Sequence, residues 1–281
     1  MKVCKTIADL RSELSAFRTT SKIGLIPTMG ALHNGHLSLV KAARKEAHVT
    51  VASIFVNPAQ FNNPEDLIKY PRTLEDDLKK LEAAQCDFVF TPEVDEVYPS
   101  KPEVKINLGP ITNQLEGKFR PGHFDGVGLV VSKLFHIVQP DIAFFGQKDL
   151  QQFFVIKKLV DELNFPIDLH MVATEREASG LAMSSRNLRL SEEEKEEASL
   201  LYKGLKKAQN MLLASSEVAP VKLAIAELFD QSARLELEYF EVVDTSNFRP
   251  LDKVVEQSKT AICIAAEIGE VRLIDNLLLI S

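Results

Sequence analysis

The sequence predicts an α/β protein, in which a parallel sheet covered by helices on both faces precedes a smaller C-terminal α+β domain. Three observations carry this expectation. Short apolar runs alternate with stretches of helical periodicity from Lys22 to Val172. The alternation stops at a charged run, Glu192-Glu193-Glu194-Lys195-Glu196-Glu197. Beyond it lie two helical stretches and then three strand-like runs.

Each element follows from its own pattern. Ile7 to Phe17 is polar and amphipathic, and Lys22-Ile23-Gly24-Leu25-Ile26-Pro27 reads as a buried strand. His36 to Ala47 reads as a helix with Leu37, Val40, Ala43 and Ala47 on one face, and Val49 to Val56 as the next strand. Leu74 to Ala84 gives a helix whose Leu74, Leu78 and Leu81 share a side. The alternation continues through the strand Phe88-Val89-Phe90, a helix over Val127 to Val138 and the strand Ile142-Ala143-Phe144-Phe145. A helix over Leu150 to Leu163 and a strand over Ile167 to Val172 complete it. Such continuous apolar strands suit a parallel sheet buried on both faces, where ligands bind beyond the carboxyl ends of the strands. After Ser191 we expect one long helical stretch and a second over Val218 to Gln231. Strands over Leu235 to Val243, Thr260 to Ala266 and Val271 to Leu279 then form a small antiparallel sheet. The boundary falls near residue 176, giving a first domain over 1–176 and a second over 177–281.

Bulk properties narrow the function. The 281 residues carry a net charge of -7, which argues against a general nucleic-acid surface. Cys4, Cys86 and Cys263 are far apart and lack C-x-x-C spacing, so neither a disulfide framework nor a zinc site is expected. The N-terminus has no apolar signal core, and no uncharged apolar run approaches the roughly 18 residues of a membrane span. A soluble cytoplasmic protein is the expectation.

Candidate chemistry sits where strands end. Pro27-Thr28-Met29-Gly30-Ala31-Leu32-His33-Asn34-Gly35-His36 joins the first buried strand to a helix. Backbone N–H groups at a helix N-terminus favour phosphate, Gly30 and Gly35 allow close approach, and His33 and His36 can donate to phosphate oxygens. ATP is the obvious ligand, although the same two histidines also read as a turn cap and a packed helix residue. Phe145-Gly146-Gln147-Lys148-Asp149-Leu150-Gln151-Gln152 has the same placement: Lys148 offers a charge for phosphates, Asp149 a helix cap or a group that positions the lysine, and Gln152 an amide for a hydroxyl or carboxylate. Its plain alternative is a solvated helix start. Ser179-Gly180-Leu181-Ala182-Met183-Ser184-Ser185-Arg186-Asn187 sets hydroxyls beside Arg186, which can neutralise developing charge. Lys118, Arg120 and His123, among the turn formers from Gly117 to Gly126, read as a phosphate-facing gate or as a basic loop facing water. In Phe55-Val56-Asn57-Pro58-Ala59-Gln60-Phe61 a strand ends in amides suited to a polyol acid, with Phe61 and Met29 as an apolar wall or as core.

In combination and order, these five segments resemble the pantothenate synthetases, which join pantoate to β-alanine at the expense of ATP. The resemblance covers nearly the whole chain. It implies a Rossmann-like, doubly wound nucleotidyltransferase domain sharing the H-x-G-H turn, followed by an α+β domain acting as a lid. It also implies ATP contacts from Met29, Gly30, Ala31, Leu32, His33, Asn34, Gly35 and His36, from Gly146, Gln147, Lys148 and Asp149, and from Glu175. Met183, Ser184, Ser185 and Arg186 match a mobile phosphate loop, and Gln60, Gln152 and Met29 match pantoate contacts, with Gln60 also placing β-alanine. Asp76 and Asp77 match an acidic pair that the family keeps near the magnesium of Mg-ATP; read as helix-surface carboxylates they equally have no role. Ser179 stands where many members of the family are expected to carry Asp, a small departure. His36, His33, Lys148 and Arg186 are the expected catalytic donors, and a homodimer is expected. The rival reading is an adenylyltransferase that moves AMP onto a phosphate ester and shares only the first motif.

Overall fold

In the computed structural model, which describes residues 1–279, the first strand is one the periodicity does not announce. β1 (Lys2–Cys4) has only three residues, too few for an alternation to register, and pairs in parallel with a later strand. Then follow α1 (Ile7–Ser15), β2 (Ile23–Thr28), α2 (Asn34–Glu46), β3 (Val49–Ile54), α3 (Pro64–Lys69), α4 (Leu74–Ala83) and β4 (Phe88–Phe90). The chain continues through α5 (Val94–Val97), α6 (Leu115–Phe119), α7 (His123–Val138), β5 (Ile142–Gly146), α8 (Leu150–Leu163) and β6 (Asp168–Val172). Helix α7 starts four residues before the expected Val127, because its N-cap is the left-handed Gly122 rather than a side-chain cap.

All six strands lie parallel in the order β1-β4-β3-β2-β5-β6, the doubly wound arrangement expected. Strands β2 and β3 are almost entirely buried, as their continuous apolar runs require. The order reverses between β2 and β5, so the switch point lies at the carboxyl ends of these two strands. A compact core of Ile26, Leu39, Val40, Ala43, Ala52, Val89 and Phe144 closes one face of the sheet.

The chain divides into two units. The first comprises residues 1–146 and 155–173; the second comprises 147–154 and the chain from 174 onward. In the second unit the acidic run opens α9 (Glu192–Ala198), capped by Ser191 and Glu194, and α10 (Leu200–Ala214) follows after a break at Ser199. Two helices therefore stand where one was expected. After them come α11 (Ala219–Phe229), β7 (Leu235–Asp244), β8 (Thr260–Ile268) and β9 (Val271–Leu278). The strands form an antiparallel sheet in the order β7-β8-β9, and Leu201, Leu205, Ile225, Phe229, Val242 and Ile264 pack between helices and sheet.

Candidate active site

The turn leaving β2 is built on strain held from behind. Gly30 has φ +83° and Ala31 has φ +50°, a left-handed conformation that costs a non-glycine residue about 1–2 kcal/mol. The completely buried Asp77 of α4 compensates: Oδ2 accepts from Ala31 N at 2.8 Å and Oδ1 from Leu32 N at 2.7 Å. Thr73 Oγ1 donates to the same Oδ1 at 3.2 Å, and Lys80 Nζ donates to Leu32 O at 2.7 Å. The expected pair of helix-surface carboxylates is thus corrected. Successive helix residues point about 100° apart, so Asp76 faces out, with its side chain 66% exposed and paired with Lys79, while Asp77 faces in.

The strained turn delivers His33 and His36 to the start of α2. His33 is the N-cap, and its Nδ1 accepts from Gly35 N at 3.1 Å; His33 N in turn donates to His36 Nδ1 at 3.3 Å. This is a capping box made of two imidazoles in place of Ser and Glu. Because both Nδ1 atoms accept, each neutral ring carries its proton on Nε2, and the two Nε2–H donors stand at the positive end of the helix. The rings lie 4.1 Å apart by centroid. Asn34 is exposed, as its place between them requires.

Beyond β3, Gln60 is held on nearly every side. Its Oε1 accepts from Asn57 Nδ2 at 3.2 Å, its carbonyl oxygen lies 2.9 Å from His123 Nδ1, and its Nε2 approaches Met29 Sδ at 2.9 Å. A carbonyl only accepts, so His123 Nδ1 carries the proton. His123, expected in a gate facing phosphate or water, is instead buried on α7 and supports Gln60. Of its basic neighbours, Arg120 reaches His123 Nε2 at 3.4 Å and Lys118 is exposed near the Phe119 ring. Asn57 Nδ2 also donates to Gly126 O at 3.2 Å, and Asn57 Oδ1 accepts from Tyr98 Oη at 2.9 Å and Ala59 N at 3.2 Å. Burial pushes the Tyr98 hydroxyl up to about 12. Gly126 lies so close to this turn that a Cβ there would stand 2.1 Å from Ala59 O. A thioether is a weak acceptor, so the Gln60 amide keeps a donor for a stronger partner, and Phe61 is half-buried beside it in the chain.

In the second unit, Gln147–Asp149 forms a short turn into α8, in which Lys148 Nζ lies 3.7 Å from Asp149 Oδ1 and its side chain is 20% exposed. Asn276 Nδ2 grips this turn, donating to Gln147 O at 3.0 Å and Lys148 O at 2.8 Å. Gln152 is half-buried on the first turn of α8. Residues 175–183 fold back as a small hairpin: Glu175 O accepts from Met183 N at 2.9 Å, Arg176 and Ala182 form an antiparallel bridge, and Gly180 turns with φ +92°. Ser184 Oγ then caps the turn Ser185–Arg189 by accepting from Arg186 N at 3.2 Å, so Arg186 projects from a fixed point. Ser179, in the hairpin tip, accepts from Leu181 N at 3.4 Å.

Within the first unit, His33, His36, Met29, Gln60 and Asp77 are therefore tied together through the turns after β2 and β3. Within the second, Lys148 and the Arg176 hairpin are tied through β9. Tyr98, Asn276, Asp275 and Arg176 are not distinguishable by motif; the adjacent polar pair Asp275-Asn276 within a strand is the one available signal. The magnesium expectation meets a poor fit. Asp77 already accepts from three donors, Asp76 turns to Lys79, and among the described residues no group of three His, Cys, Asp or Glu stands ready for a metal.

Comparison with known proteins supplies what geometry leaves general. The family model described as pantoate-β-alanine ligase matches residues 2–278. Pantothenate synthetase of Cytophaga hutchinsonii is 49% identical over 277 residues, covering 98% of each chain. That of Thermoanaerobacter sp. is 47% identical over 280 residues, covering 99% of this chain and 98% of the other. The crystal structure of pantothenate synthetase from Thermus thermophilus is similar with a TM-score of 0.93 at 40% identity, covering 99% of both chains. That of pantoate-β-alanine ligase from Francisella tularensis, complexed with β,γ-ATP and β-alanine, is similar at a TM-score of 0.81 and 35% identity, covering 100% of this chain and 98% of that one. On sequence, fold and full-length coverage alike, this chain belongs to the pantoate-β-alanine ligase family.

Proposed function

We propose that this enzyme condenses pantoate with β-alanine to pantothenate, driving the reaction with ATP through a pantoyl adenylate. Membership of the ligase family over residues 2–278 carries the reading, and the Francisella relative's complex with β,γ-ATP and β-alanine supports the choice of nucleotide and amine. The pantoate carboxylate oxygen attacks the α-phosphorus and pyrophosphate leaves. The neutral amine of β-alanine then attacks the activated carbonyl, AMP leaves, and the amine surrenders a proton.

The chain's own residues bind and neutralise rather than form covalent bonds, because positioning and charge compensation supply most of the acceleration in phosphoryl-transfer chemistry. The Nε2–H donors of His33 and His36 and the N–H groups at the start of α2 are assigned to phosphate oxygens. Met29, Gly30, Ala31, Leu32, Asn34 and Gly35 shape that turn; Gly146, Gln147, Asp149 and Glu175 are assigned to the nucleotide. Lys148 and Arg186, with Met183, Ser184 and Ser185, are assigned to charge on the transferred phosphoryl group. Gln60, Gln152 and Met29 are assigned to pantoate, and Gln60 also to β-alanine. Magnesium would accompany the phosphates of ATP and neutralise their charge; Asp77, already accepting from three donors, and Asp76, turned to Lys79, fit poorly as its ligands. The second unit as a lid, a homodimer and a cytoplasmic location belong to the same reading. Cys4, Cys86 and Cys263 are buried, and cysteines without disulfide spacing suit a reducing compartment.

Mass spectrometry of the protein incubated with Mg-ATP and pantoate alone tests the chemistry. Pantoyl adenylate is the expected product, and amide appears only once β-alanine is added. Transfer of AMP to a phosphate ester, with no adenylate of pantoate, would instead identify a plain adenylyltransferase.

A further inference from the structure

Strand β9 carries two adjacent buried polar residues, Asp275 at 4% and Asn276 at 3% exposure. Adjacent strand residues point to opposite faces, so each is buried on its own side. Burying a charge costs several kcal/mol, and apolar residues of the same volume generally serve stability as well or better. The pair therefore calls for an explanation in terms of what it holds.

Asn276 spends both amide hydrogens on one segment, donating from Nδ2 to Gln147 O at 3.0 Å and to Lys148 O at 2.8 Å. Asp275 faces another. It takes the Arg176 fork, Oδ2 from Nη1 at 2.5 Å and Oδ1 from Nη2 at 2.9 Å, and Oδ1 also accepts from Asn276 N at 2.8 Å. Arg176 Nη1 reaches on to Gly180 O at 3.1 Å, and its guanidinium lies 3.9 Å over the Tyr202 ring. The same ring fills the space beside Gly180, where a Cβ would stand 2.6 Å from Tyr202 Cδ1. The Lys148 turn and the hairpin that leads into Ser184, Ser185 and Arg186 are thus fastened to the same two residues from opposite sides.

We propose that Arg176, Asp275 and Asn276 form a strut that sets the Lys148 turn and the 177–187 segment together, making Arg176 and Asn276 positioning residues for phosphate binding. This role rests on the assignment of Lys148 and Arg186 to the phosphates. Loosening one end loosens the other, although Asn276 offers no side-chain hydrogen bond to the hairpin and Arg176 none to Lys148.

Hydrogen exchange by mass spectrometry on the full chain reads this directly. In Asn276→Ala, exchange is expected to quicken about 2- to 30-fold in residues 177–187 as well as in 146–150, and in Arg176→Lys the same two segments respond, the range a coupling of this kind carries. Unchanged exchange in β2 and β3 marks a folded first unit, and the isosteric Asp275→Asn serves where Asn276→Ala fails to fold. Exchange confined to the substituted end in each variant overturns the strut. In turnover, KM for ATP is expected to rise by a similar factor while KM for pantoate stays put; spread exchange with an unchanged KM for ATP overturns the positioning role. The exchange pattern needs no turnover, so its failure is distinct from a wild-type protein that forms no adenylate.

Discussion

His33 and His36 cap the same helix with each other's help: Nδ1 of each accepts a backbone N–H, and the two rings lie 4.1 Å apart by centroid. The Nδ1 edge of each imidazole is committed to structure, and the Nε2 edge is the one the proposed phosphate role uses. These roles separate by substitution. Asn places an acceptor near the position of Nδ1 but has no counterpart of Nε2, so His36→Asn is expected to keep the cap and lose the donor. Pyrophosphate release falls about 100- to 1,000-fold in both His36→Asn and His36→Ala. Only the alanine variant also loses about 0.5–2 kcal/mol of stability in denaturant melts. A His36→Asn enzyme with wild-type turnover would sink the phosphate assignment.

Asp77 and Asp76 provide a paired test. In Asp77→Ala the Ala31 and Leu32 N–H groups lose their acceptors, at about 1–3 kcal/mol for each buried group left unpaired. Loss of the strained turn shows as a higher KM for ATP. Asp76→Ala, on the exposed face, changes neither quantity measurably. Equal loss of magnesium dependence in both variants would restore the acidic pair as a metal site.

Lys148→Ala is expected to lower adenylate formation about 100- to 1,000-fold, measured by pantoate-dependent exchange of labelled pyrophosphate into ATP. Its stability changes little, because the turn is held by Asn276 through main-chain oxygens and not through the Lys148 side chain. Retained activity refutes the role.

Tyr98 gives an alkaline signature. Its hydroxyl is held up near 12 by burial, above the unfolded value of about 10. Below about pH 10 the phenol is neutral in both states and its contribution is complete. Between about 10 and 12 the unfolded chain ionises while the folded one keeps its proton, so stability falls by roughly 1.4 kcal/mol per pH unit, about 3 kcal/mol in all. Urea melts across that range show this slope reduced in Tyr98→Phe; parallel slopes argue against it.

Arg176→Ala strands a carboxylate in the second unit. Burial pushes the Asp275 carboxyl up, and the Arg176 fork works against that push. Removing the fork is expected to cost about 3–5 kcal/mol, seen as a lower denaturation midpoint.

The parallel sheet was legible because β2, β3 and β5 are buried on both faces and read as unbroken apolar runs. The segments β1, α3, α5 and α6 were not, having three to six residues and fewer than two full periods. The His33-Asn34-Gly35-His36 turn and the Lys148 turn stood out because each sets glycine and potential phosphate donors directly between a buried strand and a helix. Asp77 and His123 misled for the opposite reason. A polar residue's burial is decided by what the rest of the chain brings over it, and neither Ala31 N nor Gln60 O is its neighbour in sequence.

The contact between Gly126 and the Ala59 carbonyl has a historical consequence. Any side chain at position 126 displaces the backbone that presents Gln60, so drift there is tolerated only together with a rebuilt Asn57–Gln60 turn. Over long divergence the two segments must be inherited as a pair. A comprehensive substitution library selected for growth without supplied pantothenate would rank Gly126 among the least replaceable positions, on a par with residues that contact substrate.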